Sequence, residues 1–399
     1  MRTQADRLTI ETVRDTEGFE KLEQEWNLLL RGSASDSLFL TWDWLFTWYR
    51  LQARRLKLSL LVLRSDGAPV AIAPLARRAP SLLELRPYPS LGFLGTGNVG
   101  SDYLDLIVRR GAEEQVSSFL GNCLAGEKDL LELAQVRLGS SFSESLGEVL
   151  AARGWNLRAR ATGGCPYIDL AGQTWEDYLQ SLGANHRYNF QRRLRNLRKE
   201  FDVRFERVTT EGERLPALRS LVRLHNLRFR ERGGSDAFHT PRLIEFHEEF
   251  SRRALERGWL RLFVLYLGDR PAAALYGFRY NGTFYFYQSG FDPDLGKWSV
   301  GLVVMGLAIR SALEEAALEY DMLHGDEAYK SHWANRRREL GRLELYPPYL
   351  RGTLYRHAAD ATRAARRTAG WLVRRARAGW ISTLQHMESQ RKAYAARAD

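Results

Sequence analysis

The chain separates into strands and helices by where its apolar residues fall. Leu8 to Val13 alternates as a strand does, while Phe19 to Leu30 and Phe39 to Leu51 repeat their apolar positions at helical spacing. Leu58 to Leu63 and Pro69 to Leu75 then predict a hairpin around Ser65-Asp66-Gly67. In the second half, Pro166 to Leu170 reads as a strand, Trp175 to Glu200 as one long basic helix and Val203 to Val208 as a strand. Arg214 to Arg230 and Pro241 to Glu256 have helical periods. Leu260 to Leu267, Ala272 to Tyr280 and Phe284 to Ser289 form a meander, followed by a helix over Ser299 to Ala317 and a strand at Tyr320 to Leu323. A meander that feeds a helix and returns as a parallel neighbour predicts an α+β sandwich, not a doubly wound sheet.

The hairpin has an internal echo. Shifted by 202 places, Leu58, Leu60, Val62, Leu63, Pro69 and Ala71 fall on Leu260, Leu262, Val264, Leu265, Pro271 and Ala273, six identities in eighteen ungapped positions. Each copy follows a helix with aromatics four apart, Trp44 and Trp48 in the first, Phe246 and Phe250 in the second. The pattern fits either two α/β domains in tandem or chance convergence of a common hairpin.

A length of 399 residues fits two domains of roughly 150 to 200 residues each. Two cysteines, Cys123 and Cys165, exclude a disulfide scaffold and point to a reducing compartment. The first twenty residues carry Asp6, Glu11, Asp15 and Glu17 with no apolar run, so no signal peptide is expected. The longest uncharged apolar stretch, Ser299 to Ile309, is too short to span a membrane, and a soluble cytoplasmic protein is expected. The net charge of +11 is concentrated at the end: residues 351–399 hold eleven Arg or Lys and three Asp or Glu. Eight histidines without zinc-ligand spacing, and no Cys-x-x-Cys pair, predict no metal.

The densest chemistry lies in YDMLHGDEAYKSHW, residues 320–333, where an apolar strand runs directly into protonatable groups. Together with LFLTWDWLFTWYR (38–50), GSDYLDLIV (100–108) and LHNLRFRERGGSDAFHTP (224–241), this motif resembles the CelD-type acyltransferases. That family is a branch of the GNAT N-acyltransferase superfamily whose chains hold two GNAT-like halves. The resemblance covers roughly residues 8 to 350. It implies a degenerate GNAT-like domain over 1–163, a GNAT domain with the active cleft over 164–350, and a basic helical tail over 351–399. It further implies that Phe284 to Ser289 and Tyr320 to Leu323 splay apart around the thioester of an acyl-coenzyme A. Asp326 or Glu327 would then take a proton from the acceptor, Tyr329 or His324 would supply one to the leaving thiolate, and Lys330 would complete the set. A surface ion-pair cluster or a helix cap would use the same residues equally well. His225, in the second-copy helix, is a further candidate base, or simply a packed helix histidine.

By the same resemblance, the donor's pyrophosphate would sit at the start of the helix after the fourth strand, on Lys297, Trp298, Ser299, Val300 and Gly301. The usual pattern has Gln or Arg first and glycines fourth and sixth; only Gly301 is kept here. The departure leaves aminoacyl-tRNA, the donor of FemABX-type relatives, as an alternative to acyl-coenzyme A. GTGNVG (95–100) matches the dinucleotide fingerprint, but the next segment, Asp102 to Val108, reads as a strand where the fingerprint needs a helix, so a flexible interstrand loop is expected.

NHRYNFQRRLRNLRK (185–199) is either a nucleic-acid-facing helix or a solvated basic face. In the tail, Val373, Ala376, Trp380, Leu384 and Met387 share one helical face, with Arg374 and Arg375 opposite. This is the pattern of a basic amphipathic helix on an anionic inner-leaflet surface, or of one docked on protein. The acceptor expected from family and tail together is an amine or hydroxyl of a lipid or glycan, a sphingoid long-chain base being one concrete case. A membrane-associated scaffold without activity is the non-enzymatic alternative.

Overall fold

The computed structural model describes residues 8–52, 56–81, 88–230, 235, 237–348, 350–364 and 368. Two sheets organise them. The smaller, fully antiparallel, has the order Thr9–Val13, Leu60–Ser65, Ala68–Ala73, Ile107–Val108. The larger has eleven strands: Val203–Arg207, Leu260–Leu267, Arg270–Tyr280, Thr283–Phe291, Glu319–Asp321, Asn156–Asp169, Arg336–Tyr346, Leu130–Arg137, Ser90–Phe93, Leu75–Arg78 and Leu56–Leu58.

The hairpin forms where expected, with Asp66 and Gly67 both at positive φ in a tight turn suited to the strand twist. Both its strands break, at Ser59 and at Pro74, and pass from the small sheet into the large one. The echo is structural as well. In each half a strand, a helix and a parallel neighbour recur: Ser90–Phe93, Glu113–Ala125 and Leu130–Arg137 in the first, Thr283–Phe291, Val300–Glu314 and Glu319–Asp321 in the second. The equivalent helices Trp42–Gln52 and Pro241–Glu256 meet across the junction, where the Trp44 ring packs edge-on at 5.0 Å from Phe246 and 4.6 Å from Phe250. The architecture is α+β and tandem.

Several expected elements divide. Phe19 to Leu30 becomes Thr16–Lys21 and Glu23–Arg31, and the long basic helix becomes Trp175–Ser181 and Ala184–Glu200. In the second case Leu182 takes extended backbone while its side chain stays buried, and Gly183 starts the next helix. Asp102 to Val108 is a strand only at Ile107–Val108. Tyr103 has φ 57°, and the segment's polar groups bond sideways instead of forming a ladder. Asp102 accepts from Gln135 at 3.0 Å, and Asp105 accepts the N–H groups of Phe142 and Ser143 at 2.8 and 2.9 Å, capping Phe142–Ala151. The preceding GTGNVG loop opens no helix and is tied down: Ser101 Oγ donates to the Gly95 carbonyl at 2.6 Å, and the Tyr287 hydroxyl donates to the Val99 carbonyl.

Residues 350–364 are helical and dock on the protein. Ala359 is buried with Tyr88, Leu130 and Tyr346, while Asp360 pairs with Arg158 and Arg363 with Glu344, each at 2.7 Å. The tail face from Val373 to Met387 lies outside the described residues. Among the described residues no helix is long and apolar enough to cross a membrane.

Candidate functional site

Thr283–Phe291 and Glu319–Asp321 are parallel for only three register pairs, ending at Tyr285 with Asp321. Beyond that pair both strands change course. On the first, the register against Arg270–Tyr280 jumps so that Tyr287 is extra, a bulge that bends the strand. On the second, the Leu323 N–H turns back to Asp321 Oδ1 at 2.7 Å, with Leu323 at φ 56° and Gly325 at φ 137°. A Cβ on Gly325 would also come within 2.8 Å of Lys330 Nζ, so glycine is required there for both angle and space.

The divergence leaves a cleft of about 840 Å3. One wall is the start of the helix Val300–Glu314, from Ser299 to Leu302 with Met305. Ser299 is left-handed (φ 55°, ψ 43°), and its carbonyl accepts from Leu302 and Val303 at 3.0 and 3.2 Å. The N–H groups of Val300 and Gly301, first in the helix, have no acceptor within it and face an anion's natural position. Gly301 is closely set: a Cβ would lie 2.9 Å from the Phe291 ring. Of the five expected donor-site residues, Ser299, Val300 and Gly301 line the cleft. Lys297 is exposed with its Nζ over the Trp298 ring at 5.1 Å, and Trp298 packs on Phe201 at 5.2 Å; neither lines the cleft.

The protonatable motif also splits. Glu327 and Tyr329 line the cleft. Burial, then the Glu327 charge, pushes the Tyr329 phenol up to about 12, which keeps it a proton donor at neutral pH. Lys330 is buried and donates to the carbonyls of Leu323 (3.2 Å) and His324 (2.9 Å), with Glu327 Oε2 at 3.1 Å. It holds the loop from behind. Asp326 pairs with Arg337 on the surface at 2.7 Å, outside the cleft lining. His324 is exposed, its ring against Gly163 and its N–H on Asp102 Oδ2 at 2.8 Å. His225 is buried with both nitrogens engaged, by the Ser289 carbonyl at 3.0 Å and Ser235 Oγ at 2.8 Å, and burial lowers its pKa to about 4. It too lies outside the cleft lining.

Two cleft residues, Arg228 and His186, escaped notice in the sequence. Arg228 reaches in from the helix Glu211–Arg230, bonding Ser289 Oγ at 3.0 Å and lying 5.1 Å from the Phe291 centroid and 5.7 Å from that of Tyr329. His186 stacks on His332 at 5.4 Å and sits edge-on to Trp333 at 4.4 Å. Burial, then His332, lowers the His186 pKa, and its Nε2 has no hydrogen-bond partner. A neutral imidazole therefore lines the cleft at neutral pH. The only signal for it was a histidine within the basic run at 185–199, which charge alone concealed.

Comparison with known proteins agrees with this geometry. Residues 184–331 match the model of an acetyltransferase (GNAT) domain. Among solved structures, FemX is similar over 87% of this chain and 99% of its own at a TM-score of 0.61 and 14% identity. A lysylphosphatidylglycerol synthetase from Bacillus licheniformis covers 86% of this chain and 96% of its own, with a TM-score of 0.50 and 13% identity. The C-terminal domain of a putative lysylphosphatidylglycerol synthetase from Agrobacterium fabrum covers 87% and 95%, with a TM-score of 0.51 and 11% identity. No curated protein matches the chain. The second half of the chain therefore carries a GNAT acyltransferase domain, and the protein is a transferase of tandem GNAT fold.

Proposed function

We propose that the chain transfers an acyl group from acyl-coenzyme A to an amine or hydroxyl of a lipid or polysaccharide intermediate, a sphingoid base being one concrete lipid case. The observation that carries this reading is the cleft itself: a helix start with free N–H groups at one wall, and apolar side chains, Phe291, Val300, Leu302 and Met305, lining the space beside it. The N–H groups suit a pyrophosphate, and the apolar wall suits a chain longer than acetyl, each buried methylene adding about 0.8 kcal/mol. In this reading Glu327 or the neutral His186 takes the acceptor's proton, and Tyr329 returns one to the thiolate. The fixed charge of Arg228 favours the developing oxyanion. Asp326, Lys330, His324 and His225 serve the scaffold.

Calorimetry with acetyl-CoA, palmitoyl-CoA and free coenzyme A tests the donor. Micromolar binding that strengthens with chain length is expected; no binding by any of the three overturns it.

The alternative donor, aminoacyl-tRNA, has one observation in its favour. The basic helix Ala184–Glu200 borders the cleft through His186, and Arg193 bonds the Lys297 carbonyl. A tRNA complex whose affinity falls steeply with salt would move the assignment there. The named product of the similar lysylphosphatidylglycerol synthetases is itself a lipid, which keeps lipid acceptors within either reading. Docking on the inner leaflet through residues 353–399, the first of which, to residue 364, pack on the protein body, belongs to the same proposal, and liposome co-sedimentation with and without that segment measures it.

A further inference from the structure

A second cavity, of about 210 Å3, lies between the two halves. Strand alternation places it on the sheet face away from the helix Val300–Glu314. Phe284 and Tyr320 stack at 4.5 Å within that helix's core, whereas their neighbours Thr283, Tyr285, Glu319 and Asp321 line the cavity from the opposite face. The first half contributes Asp36 and Ser37, with Tyr103 and Asp105.

Its lining holds five carboxylates against the guanidiniums of Arg137 and Arg338, and is incompletely paired. Arg338 pairs with Glu319 and with Asp321, the latter at 3.1 Å, and Tyr103 donates to Asp321 at 2.6 Å. Asp36 is half-buried, accepts the Tyr280 hydroxyl (2.7 Å) and forms no salt bridge among the described residues, while the charges of Arg110 and Arg31 act on it from farther off. Burial raises its pKa against the Tyr280 bond and those two arginines, and a cation brought into contact with it would favour the ionised carboxylate. Ser37 is 6% exposed and its Oγ is buried without a hydrogen-bond partner, where a buried polar group ordinarily has one. Tyr285, 5% exposed, also lines the cavity, with a hydroxyl that forms no hydrogen bond among the described residues.

We infer that this cavity binds a compact organic ammonium carrying hydroxyls, such as an amino alcohol or a single amino-sugar ring, with its charge on Asp36 and its hydroxyls on Ser37 and Tyr285. The volume equals that of roughly seven waters in the liquid, enough for such a molecule. A metal ion does not fit the arrangement: the carboxylates are dispersed, and among the described residues no three acidic, histidine or cysteine side chains are placed to hold one. The inference rests on the cavity alone and stands or falls independently of the donor assigned to the cleft.

Calorimetric titration of the full chain with glucosamine, ethanolamine and glucose tests it. At least one of the two amines is expected to bind saturably and glucose not to. Asp36→Asn, which keeps the shape, is expected to weaken that binding about tenfold or more, as for a lost charged hydrogen bond. Tyr285→Phe removes only an unbonded hydroxyl, so it is expected to fold normally and to weaken binding about threefold or more. No saturable binding of either amine, equal binding of glucose, or wild-type affinity in both variants overturns the inference.

Discussion

Replacing Lys330 by Met isolates the part of the cleft loop that the structure assigns to scaffolding. Met keeps an unbranched apolar stem of similar reach but removes three donors, so packing changes little and hydrogen bonding changes most. The buried Leu323 carbonyl, 3.2 Å from Nζ, then has no partner, whereas exposed His324 recovers part of its bond from water. Hydrogen bonds to a charged donor contribute about 1.5–3 kcal/mol each. The ion pair to Glu327, which is 55% exposed, adds under about 1 kcal/mol. One full bond plus a fraction of the second puts the loss at about 2–3 kcal/mol. Urea unfolding followed by circular dichroism reads the stability, and amide exchange across residues 323–330 reads the loop. Asp326→Asn is the control: its pair with Arg337 is exposed on both sides and should cost under about 0.5 kcal/mol. If Lys330→Met loses no more than the control, and exchange in the loop is unchanged, the scaffolding role is refuted.

Gly290→Ala should destabilise by about 3 kcal/mol, the upper end for overpacking, because the added Cβ meets helix backbone at Leu224 (2.6 Å to its carbonyl carbon) and not a side chain that can swing away. A wild-type melting curve would contradict it. His247 is buried among Phe238, Phe246, Tyr276 and Tyr287, and burial lowers its pKa to about 3. Its folded pKa lies below the unfolded value of about 6.5, so its contribution is complete above that pH and is lost as pH falls toward 3, by at most about 1.4 kcal/mol per unit. His247→Phe should flatten the fall in urea midpoint between neutral pH and pH 5; an unchanged slope would count against this. Gly301→Val should weaken acyl-CoA binding about tenfold or more by crowding the helix start against Phe291, measured by the same calorimetry as the parent chain.

What could be seen in the sequence depended on whether local pattern and tertiary role agreed. Pro241–Glu256 and Leu260–Leu267 were legible to the residue: Thr240 caps the helix onto the Leu243 N–H, Pro241 begins it, and the strand is apolar at nearly every position. Arg336–Tyr346 was not, although it is a central strand. Its charges resemble a surface segment, yet Arg338 pairs with Glu319 and Arg342 with Glu132 on nearby strands of the same sheet. The motif at 320–333 pointed to the right place but not to the division of labour within it. Lys330 and Glu327 are three residues apart, one buried and one lining the cleft, and only the fold of the loop decides which. Arg228 and His186 reach the same cleft from separate helices, and nothing local marks them.

The bulge at Tyr287 explains how one strand serves two sites. Before it, Phe284 and Phe286 face the core under Val300–Glu314, and Tyr285 faces the cavity between the halves. A regular strand would carry that alternation on, so residue 291 would share the face of residue 285. The extra residue reverses it: Gly290 now faces the helix Glu211–Arg230, and Phe291 turns to the core under Val300–Glu314 and the cleft. Strand pairing ends at Tyr285 and Asp321, at the floor of the cavity, and the opening that forms the cleft begins beyond them. A one-residue insertion, invisible to a count of apolar positions, is therefore what gives this sheet an apolar cleft on one face while an acidic cavity occupies the other.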